Sequence, residues 1–297
     1  MLKKLIVIIL FSFLNIQATF SIVAIDTTTG EVGSAGASCI SNSIILSAIH
    51  PGVGVIHTQA YWNSINQDSA SYLMNLGYSP QEIIDWLINN DAENNSSIRQ
   101  YGIISLLDGG ERSAFTGENC NEYKNHVLGP NYTIQGNILL GQTILDTIEY
   151  AFINTVGNFE EKLIAAIMAA NISGADTRCS PYDTPAISSF IRIAKPDDNS
   201  DSLYLDIDVN NAPLTINPLD SLFNLYWDWK IDHFALGDLN FDNNINLMDI
   251  LSLADYLNSY IELTEYCLNS ADINDSGVVE VTDLYLLIYQ IIGTFIQ

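Results

Sequence analysis

The feature that most constrains the fold is a duplication near the C-terminus. Residues 238–249 read DLNFDNNINLMD and residues 272–283 read DINDSGVVEVTD, so two twelve-residue loops begin 34 residues apart. Each loop leads into an apolar segment with helical periodicity, ILSLADYLNSY and LYLLIYQIIG. A loop and helix repeated at a fixed interval predict a small domain made of two similar halves.

Oxygen-bearing residues recur at equivalent positions of the two loops. A hard cation such as calcium takes about six to eight oxygen ligands, and such a loop supplies them from positions 1, 3, 5, 7, 9 and 12, with position 7 contributing its backbone carbonyl. The candidate ligands are Asp238, Asn240, Asp242, Asn244, Asn246 and Asp249 in loop one, and Asp272, Asn274, Ser276, Val278, Glu280 and Asp283 in loop two. We therefore predict two calcium ions in this region.

The segment from about residue 236 to residue 293 resembles a type I dockerin domain. The resemblance implies calcium binding and attachment to a cohesin module on a scaffold or cell-surface protein. It also implies that loop positions 10 and 11 select the cohesin; here they are Leu247 and Met248, then Val281 and Thr282. The best-known cellulosomal dockerins often carry serine and threonine there, so the identity of the cohesin does not carry over. Because clustered carboxylates repel each other without a cation, folding of this segment should depend on calcium.

The first eighteen residues have the layout of an export signal. Lys3 and Lys4 precede an apolar run from Leu5 to Leu14, and a short polar stretch ends at Ala18. A membrane-spanning helix needs roughly 20 apolar residues, and neither this run nor any later segment is long enough. We predict a secreted or cell-surface protein without an integral membrane segment after cleavage. An uncleaved anchor is the alternative interpretation.

Charge and cysteine content narrow the functional classes. A formal net charge of −25 argues against nucleic acid and anionic membrane surfaces as partners. Four cysteines, Cys39, Cys120, Cys179 and Cys267, are too scattered for a zinc site. Export permits a disulfide between two of the first three, and the sequence leaves the pairing open.

The region after the export signal alternates predicted strands and helices. Strands are expected at residues 19–26, 31–39 and 52–62, followed by two helices, a hairpin, a strand, two helices and two more strands. This order predicts an α+β fold in which two sheets lie between layers of helices. A helix at about residues 218–230 closes it, and the composition changes after Lys230. The predicted domains are a signal at 1–18, an N-terminal domain at 19–230 and the dockerin at 231–297.

The N-terminal domain contains five further segments: TFSIVAIDTTTGEVGSAGAS, GVGVIHTQAYWN, IRQYGIISLLDGGERSAFTGENC, YTIQGNILLG and GADTRC. In order and spacing they resemble a bacterial family of unknown function, DUF 1028, over about residues 19–229. The resemblance implies a fold like that of the N-terminal nucleophile (Ntn) hydrolases, a four-layer αββα sandwich. Members of the family typically begin TFSIVA after the initiator methionine, whose place the predicted signal takes here.

A threonine at the start of a chain can be both nucleophile and base. Cleavage after Ala18 would leave Thr19 with a free α-amino group, whose pKa of about 8 allows it to take the hydroxyl proton. We predict an exported amidohydrolase in which Thr19 is the nucleophile. Asn137 is the candidate oxyanion donor and Gln59 a second polar group lining the site. No cofactor is expected for this domain.

Three residues are candidates for substrate binding. In an extended segment, Asp176 and Arg178 would project to the same side. They could hold the amine and carboxylate of an amino-acid-like substrate, or they could pair with each other or with the loop backbone. Ser34 lies in a strand of small residues that would leave space for an acyl group beside Thr19.

The sequence also allows other interpretations. His57 is a second candidate base or a structural histidine, and Cys39 is a second candidate nucleophile or a disulfide partner. The N-terminal domain could also be a non-catalytic module that binds a cell-wall or surface ligand and is displayed through the dockerin. A role as an accessory protein in polysaccharide degradation is the third possibility, although the domain lacks a recognisable glycosidase-like carboxylate pair.

Overall fold

The computed structural model describes residues 19–295, apart from the side chains of residue 265 and residues 293–295. The predicted export signal at residues 1–18 lies outside the described residues. The chain divides into two compact units, Met1–Leu219 and Asp220–Gln297.

The strands described in the first unit form two antiparallel sheets. They are β1 (Thr19–Asp26), β2 (Glu31–Ser38), β3 (Ser47–His50), β4 (Gly54–Ala60), β5 (Arg99–Ser105), β6 (Glu111–Thr116), β7 (Asn125–Leu128), β8 (Tyr132–Asn137), β9 (Ser188–Ala194) and β10 (Leu205–Val209). One sheet has the order β10-β9-β2-β1-β8-β7, and the other has the order β3-β4-β5-β6. The first strand is therefore central, with β2 and β8 on its two sides.

Four of the described α-helices cover the outer faces of these sheets. They are α1 (Ser64–Asn75), α2 (Pro80–Asn89), α3 (Gln142–Asn154) and α4 (Phe159–Ala169). Helices α1 and α2 pack on the four-stranded sheet, whereas α3 and α4 pack on the six-stranded sheet. Ser79 is the N-cap of α2 and forms a capping box with Glu82. Helix α1 begins after Asn63, whose side chain accepts hydrogen bonds from the amides of Ile65 and Asn66.

The inner faces of the two sheets meet. Side chains alternate along a strand, so β4 directs Val55, His57 and Gln59 inward while Ile56 packs against α1 and α2. An apolar cluster at one end of the interface includes Val23, Val55 and Ile104. Polar side chains fill the other end.

Two strands and one helix lie outside the sequence-based expectations. Strands β3 and β7 have four residues each, which is too short for the alternation of apolar and polar residues to stand out. The seven-residue helix α7 (Glu265–Ala271) is likewise short. It begins after Thr264, whose side chain accepts a hydrogen bond from the Cys267 amide.

The second unit comprises α5 (Pro218–His233), α6 (Leu247–Leu257), α7 and α8 (Val281–Phe295), with α5 starting just before the unit boundary. The sequence assigns α5 to the N-terminal domain, but the structure groups most of it with the residues that follow. Its Trp227 ring stacks on Tyr266, with centroids 4.6 Å apart, and makes an edge contact with Phe241. The boundary expected near Ile231 thus lies inside a helix that these aromatic contacts attach to the second unit.

The core of the second unit is contributed by both loop-helix repeats. Buried Leu239, Leu253, Ala271 and Leu287 form its centre. Within residues 19–295, no helix has the length and apolar character needed to cross a membrane.

Candidate functional site

Thr19 is the first residue of the central strand β1. It lies opposite Asn137 of β8, and its Oγ1 donates a hydrogen bond to Ser38 Oγ on β2 over 3.4 Å. Residues directly opposite in neighbouring strands share a face of the sheet. Thr19, Ser38 and Asn137 therefore point toward the second sheet, and all three are buried.

The amide side chains of this site are joined through Gln100. Its Oε1 accepts hydrogen bonds from Gln59 Nε2 at 2.8 Å and from Asn137 Nδ2 at 3.1 Å. Sequence reasoning did not identify Gln100. The available signal is its position opposite Gln59 in the antiparallel pair β4 and β5, which becomes visible only when the strand register is known.

Gln100 determines which way the other two amides face. Its Nε2 donates to the backbone carbonyls of Asn125 and Gly136, at 3.0 and 2.9 Å. A backbone carbonyl accepts hydrogen bonds and cannot donate them, so Gln100 must direct Oε1 toward Gln59 and Asn137. Asn137 consequently turns its Nδ2 group toward Gln100. In this orientation Asn137 offers an N–H group, which is what an oxyanion donor requires.

His57 and Ser21 form the next layer of the polar interior. His57 Nδ1 lies 2.9 Å from Ser21 Oγ, and Ser21 Oγ donates to Gln59 Oε1 at 2.7 Å. Burial lowers the pKa of His57 to about 3, and the positive charge of Arg192 adds to this effect. His57 is therefore neutral and belongs to the hydrogen-bond network of the interior through Ser21. It does not contact the Thr19 hydroxyl.

Two non-glycine residues with positive φ follow the candidate amides. Ala60, directly after Gln59, has φ of 71°, and Ile138, directly after Asn137, has φ of 54°. A β-branched residue in the left-handed region is an uncommon and costly conformation. Such strain concentrates at sites where the surrounding structure positions a functional group.

Asp176 and Arg178 lie beside Ser38. The Asp176 carboxylate is fully buried and accepts hydrogen bonds from Arg178 Nε and Nη2 and from the backbone amide of Cys39. Arg178 Nη2 also donates to Ser38 Oγ at 3.4 Å. Of the two residues expected to contact a substrate, Arg178 is thus two hydrogen bonds from Thr19 through Ser38, and Asp176 is directed at Arg178.

A disulfide joins Cys39 to Cys179, with their Cα atoms 5.7 Å apart. The prediction of a bridge between two of the first three cysteines is confirmed, and the assignment of Cys39 as an alternative nucleophile is wrong because its sulfur is bonded. Cys120 is a buried thiol. Burial raises its pKa to about 11.

The structure does not bring Ser34 to Thr19. Ser34 is four residues before Ser38 in β2, about 13 Å along the strand, and its Oγ lies 2.7 Å from Ser47 Oγ. The expected acyl space is also filled: a Cβ on Gly36 would come within 2.9 Å of the Phe190 ring, and a Cβ on Gly33 would meet Leu163 at 2.6 Å. The small residues of β2 permit close packing.

The two C-terminal loops have the same internal hydrogen bonds. At position 12, Asp249 or Asp283 accepts from the backbone amides of positions 2, 3 and 9. At position 1, Asp238 or Asp272 accepts from the amides of positions 5 and 6. The φ angles are positive at positions 4 and 6 of both loops. The sequence repeat is therefore also a repeat of backbone geometry.

The donor set of the loops fits calcium. All the candidate side-chain ligands offer oxygen, the donor that hard cations prefer. Among the described side chains, no three of the His, Cys, Asp and Glu types group together as a metal site, so amide, hydroxyl and carbonyl oxygens have to complete each ligand set. Burial raises the pKa of Asp238, and the charges of Asp249 and Asp242 raise it further. A cation would relieve this accumulation of negative charge.

Apolar and aromatic side chains are exposed at the end of each loop and on α8. Leu247 and Met248 at positions 10 and 11 of loop one are 63% and 58% exposed, and Val281 in loop two is 52% exposed. Tyr285 and Tyr289 of α8 are also exposed. The positions that the dockerin resemblance assigns to partner selection are thus accessible side chains.

Comparisons with known proteins agree with the two resemblances. Residues 19–219 match the model of a family described as "Family of unknown function (DUF1028)". Residues 236–292 match the model of the dockerin type I domain, a type of domain that binds calcium and cohesins. Proteins that carry such domains are typically extracellular or associated with the cell surface.

A solved structure supports the fold of the first unit. The crystal structure of a protein from Silicibacter pomeroyi, described as belonging to the DUF1028 family, has a TM-score of 0.60 and 23% sequence identity, covering 71% of this chain and 88% of that chain. At this identity the likeness establishes a shared fold. Curated proteins provide no match.

Proposed function

The chain belongs to the DUF1028 family, whose description assigns no activity, and from its site geometry we propose that it is an exported amidohydrolase with Thr19 as the nucleophile. The observation that carries this proposal is the position of Thr19 at the very start of the central strand, between Ser38 and Asn137. Removal of residues 1–18 would create an α-amino group on the residue that bears the hydroxyl.

The proposed reaction follows from these groups. Thr19 Oγ attacks the amide carbon while the α-amino group takes the hydroxyl proton and passes it to the leaving nitrogen. The C–N bond breaks, and an ester to Thr19 remains. Water then adds to the ester, gives a proton to the α-amino group, and releases the acid as Thr19 Oγ recovers its proton. The Nδ2 group of Asn137 donates a hydrogen bond to the oxygen that gains negative charge.

Gln59 and Gln100 act through Asn137 in this scheme. Gln100 receives hydrogen bonds from both other amides, and it fixes the orientation in which Asn137 presents Nδ2. We assign Gln59 and Gln100 as positioning residues. The two helix pairs that cover two facing sheets support assigning the unit to the αββα arrangement of Ntn hydrolases.

The chemistry of Thr19 can be tested on the exported, full-length protein. Mass spectrometry should find Thr19 at the N-terminus, and an electrophile directed at N-terminal threonine should label the protein. Thr19→Ala should abolish the labelling, whereas Thr28→Ala, in the exposed turn after β1, should leave it unchanged. Labelling that persists in Thr19→Ala, or an N-terminus other than Thr19, would exclude the mechanism. A labelled protein without turnover on amides would favour a non-catalytic binding module.

We also propose that the dockerin attaches this enzyme to a cohesin outside the cell with one calcium ion in each loop. The duplicated loop geometry and the exposed residues at positions 10 and 11 support this. Capture by a cohesin panel should require calcium and should be weakened by Met248→Asp, whereas Asp255→Asn, on α6 outside both loops, should have no effect. Capture that is equal in calcium and in chelator would contradict the proposal.

A further inference from the structure

We propose that Arg178 forms an anion subsite beside Thr19, and that the substrate is an amide with a carboxylate next to the scissile bond. N-acyl amino acids and the C-terminal residues of peptides share this chemistry. The catalytic part rests on the proposed function of Thr19, whereas the binding part can be tested without turnover.

The geometry places a cation at a short distance from the hydroxyl. Thr19 Oγ1 and Arg178 Nη2 each lie 3.4 Å from Ser38 Oγ. An α-carboxylate is three bonds from the amide carbon, which spans about 4 Å. A substrate carbonyl against Thr19 would therefore place its carboxylate within reach of Arg178.

Asp176 positions Arg178 and is not itself a substrate contact. Its Oδ1 accepts from the Arg178 amide and Nε, both at 3.1 Å, and its Oδ2 accepts from Arg178 Nη2 at 2.8 Å and from the Cys39 amide at 2.7 Å. These four donors occupy the carboxylate. The Asp176 side chain is fully buried, whereas that of Arg178 is 27% exposed. The pair thus presents a guanidinium to a ligand, not an amine-binding carboxylate.

The segment that carries Arg178 is attached to both strands beside Thr19. On the β2 side, Cys179 is bonded to Cys39, so the disulfide links the residues that follow Arg178 and Ser38. On the β8 side, the Thr177 amide and hydroxyl both donate to the Ile138 carbonyl at 3.0 Å. Anchoring at both ends holds the guanidinium in place before any ligand binds, which reduces the entropic cost of binding.

A guanidinium held in this way selects a carboxylate. Hydrogen bonds between two charged groups are roughly twice as strong as neutral ones, and the planar fork of arginine matches the carboxylate geometry. The net charge of −25 makes the protein as a whole repel anions. A local cation next to the nucleophile is thus the feature that would admit an anionic substrate.

The test uses the processed full-length Thr19→Ala protein and two probes, N-acetylalanine and its neutral analogue N-acetylalaninamide. Calorimetric titration should show that the carboxylate binds at least tenfold more tightly than the amide. Arg178→Gln in the same background should remove this preference and Arg178→Lys should retain part of it. Arg112→Gln, at an exposed position of β6, should leave it unchanged.

The outcomes separate this inference from the proposed function. Equal binding of the two probes, no binding of either, or a preference that survives Arg178→Gln would overturn the anion subsite. Failure of Thr19 to react with an electrophile would overturn the catalytic mechanism while leaving the binding preference intact. If both proposals hold, the protein with Thr19 should hydrolyse N-acyl amino acids at least tenfold more efficiently, as kcat/KM, than their amides.

Discussion

The two candidate sites are built in opposite ways. The site around Thr19 collects side chains from β1, β2, β4, β5 and β8, and Thr19 and Arg178 come together across most of the first unit. Each calcium loop lies within twelve consecutive residues, and its internal bonds join positions at most ten residues apart. The first site requires a folded unit before it exists, whereas we propose that each loop needs a bound cation to hold its short segment together.

The two sites also differ in how their polar groups are compensated. In the first unit, the amides of Gln59, Gln100 and Asn137 satisfy one another through direct hydrogen bonds. In the loops, burial and then the neighbouring carboxylates raise the pKa of Asp238, which shows that its negative charge is poorly compensated there. We therefore expect the two units to respond to different perturbations.

Calcium removal should produce the largest difference in stability between the two units. A ligand present at about a thousand times its dissociation constant stabilises the folded state by about 4 kcal/mol per site. Scanning calorimetry of the full-length protein in chelator should show loss of the unfolding transition of residues 220–297, with the transition of the first unit unchanged. Asp249→Ala removes a candidate ligand of loop one only, so it should cost the second unit about half of the stabilisation that calcium provides. The exposed Asp255→Asn should have no effect. An unchanged second-unit transition in chelator would show that the loops fold without a cation.

This contrast also explains what the sequence could predict. The loop ligands are visible because their spacing is local, and the capping box of Ser79 and Glu82 is visible for the same reason. Strand β1 occupies the expected residues, Thr19–Asp26. Helix α5 occupies about the expected residues, but its partners Phe241 and Tyr266 depend on tertiary packing that no local pattern encodes.

For the candidate site around Thr19, the sequence suggests several residues but does not show which of them are in contact. Thr19, Asn137 and Arg178 lie together as expected, but Ser34 does not, because the register of β2 places Ser38 beside Thr19. No local pattern indicates Gln100, because its role depends on strand pairing over long sequence separations. The cysteine pairing, similarly, had to be read from the fold.

Removing the disulfide should lower the stability of the first unit and leave that of the second unit unchanged. The bridge between Cys39 and Cys179 closes a separation of 140 residues, and loss of a native disulfide typically costs about 2–5 kcal/mol. Chemical denaturation of Cys39→Ser/Cys179→Ser should show this loss in the first unit and none in the second. Cys267→Ser, in the second unit, is the matched control. A double variant as stable as the wild type would mean that the hydrogen bonds of Asp176 suffice to hold the segment.

The smallest expected effect is a pH dependence specific to the first unit. Burial holds the pKa of His57 near 3 in the folded protein, whereas an unfolded histidine titrates near 6.5. Between these values the unfolded chain binds more protons, so the free energy of unfolding falls as the pH falls, by about 2 kcal/mol from pH 7 to pH 5. The physical reason is local: protonation would place a donor on Nε2, which is buried without a hydrogen-bond partner among the described residues.

Two variants isolate this effect from the other titrating groups. His57→Gln removes the titration, so its free energy of unfolding should change less than that of the wild type between pH 7 and pH 5, by the same 2 kcal/mol or so. Thr58→Val alters the adjacent buried position of β4 without a titrating group, so it should keep the wild-type slope. Equal slopes for the wild type and His57→Gln would mean that His57 accepts a proton inside the fold. The polar interior beneath Thr19 would then tolerate charge, and its role would be closer to proton transfer than to support of the strands.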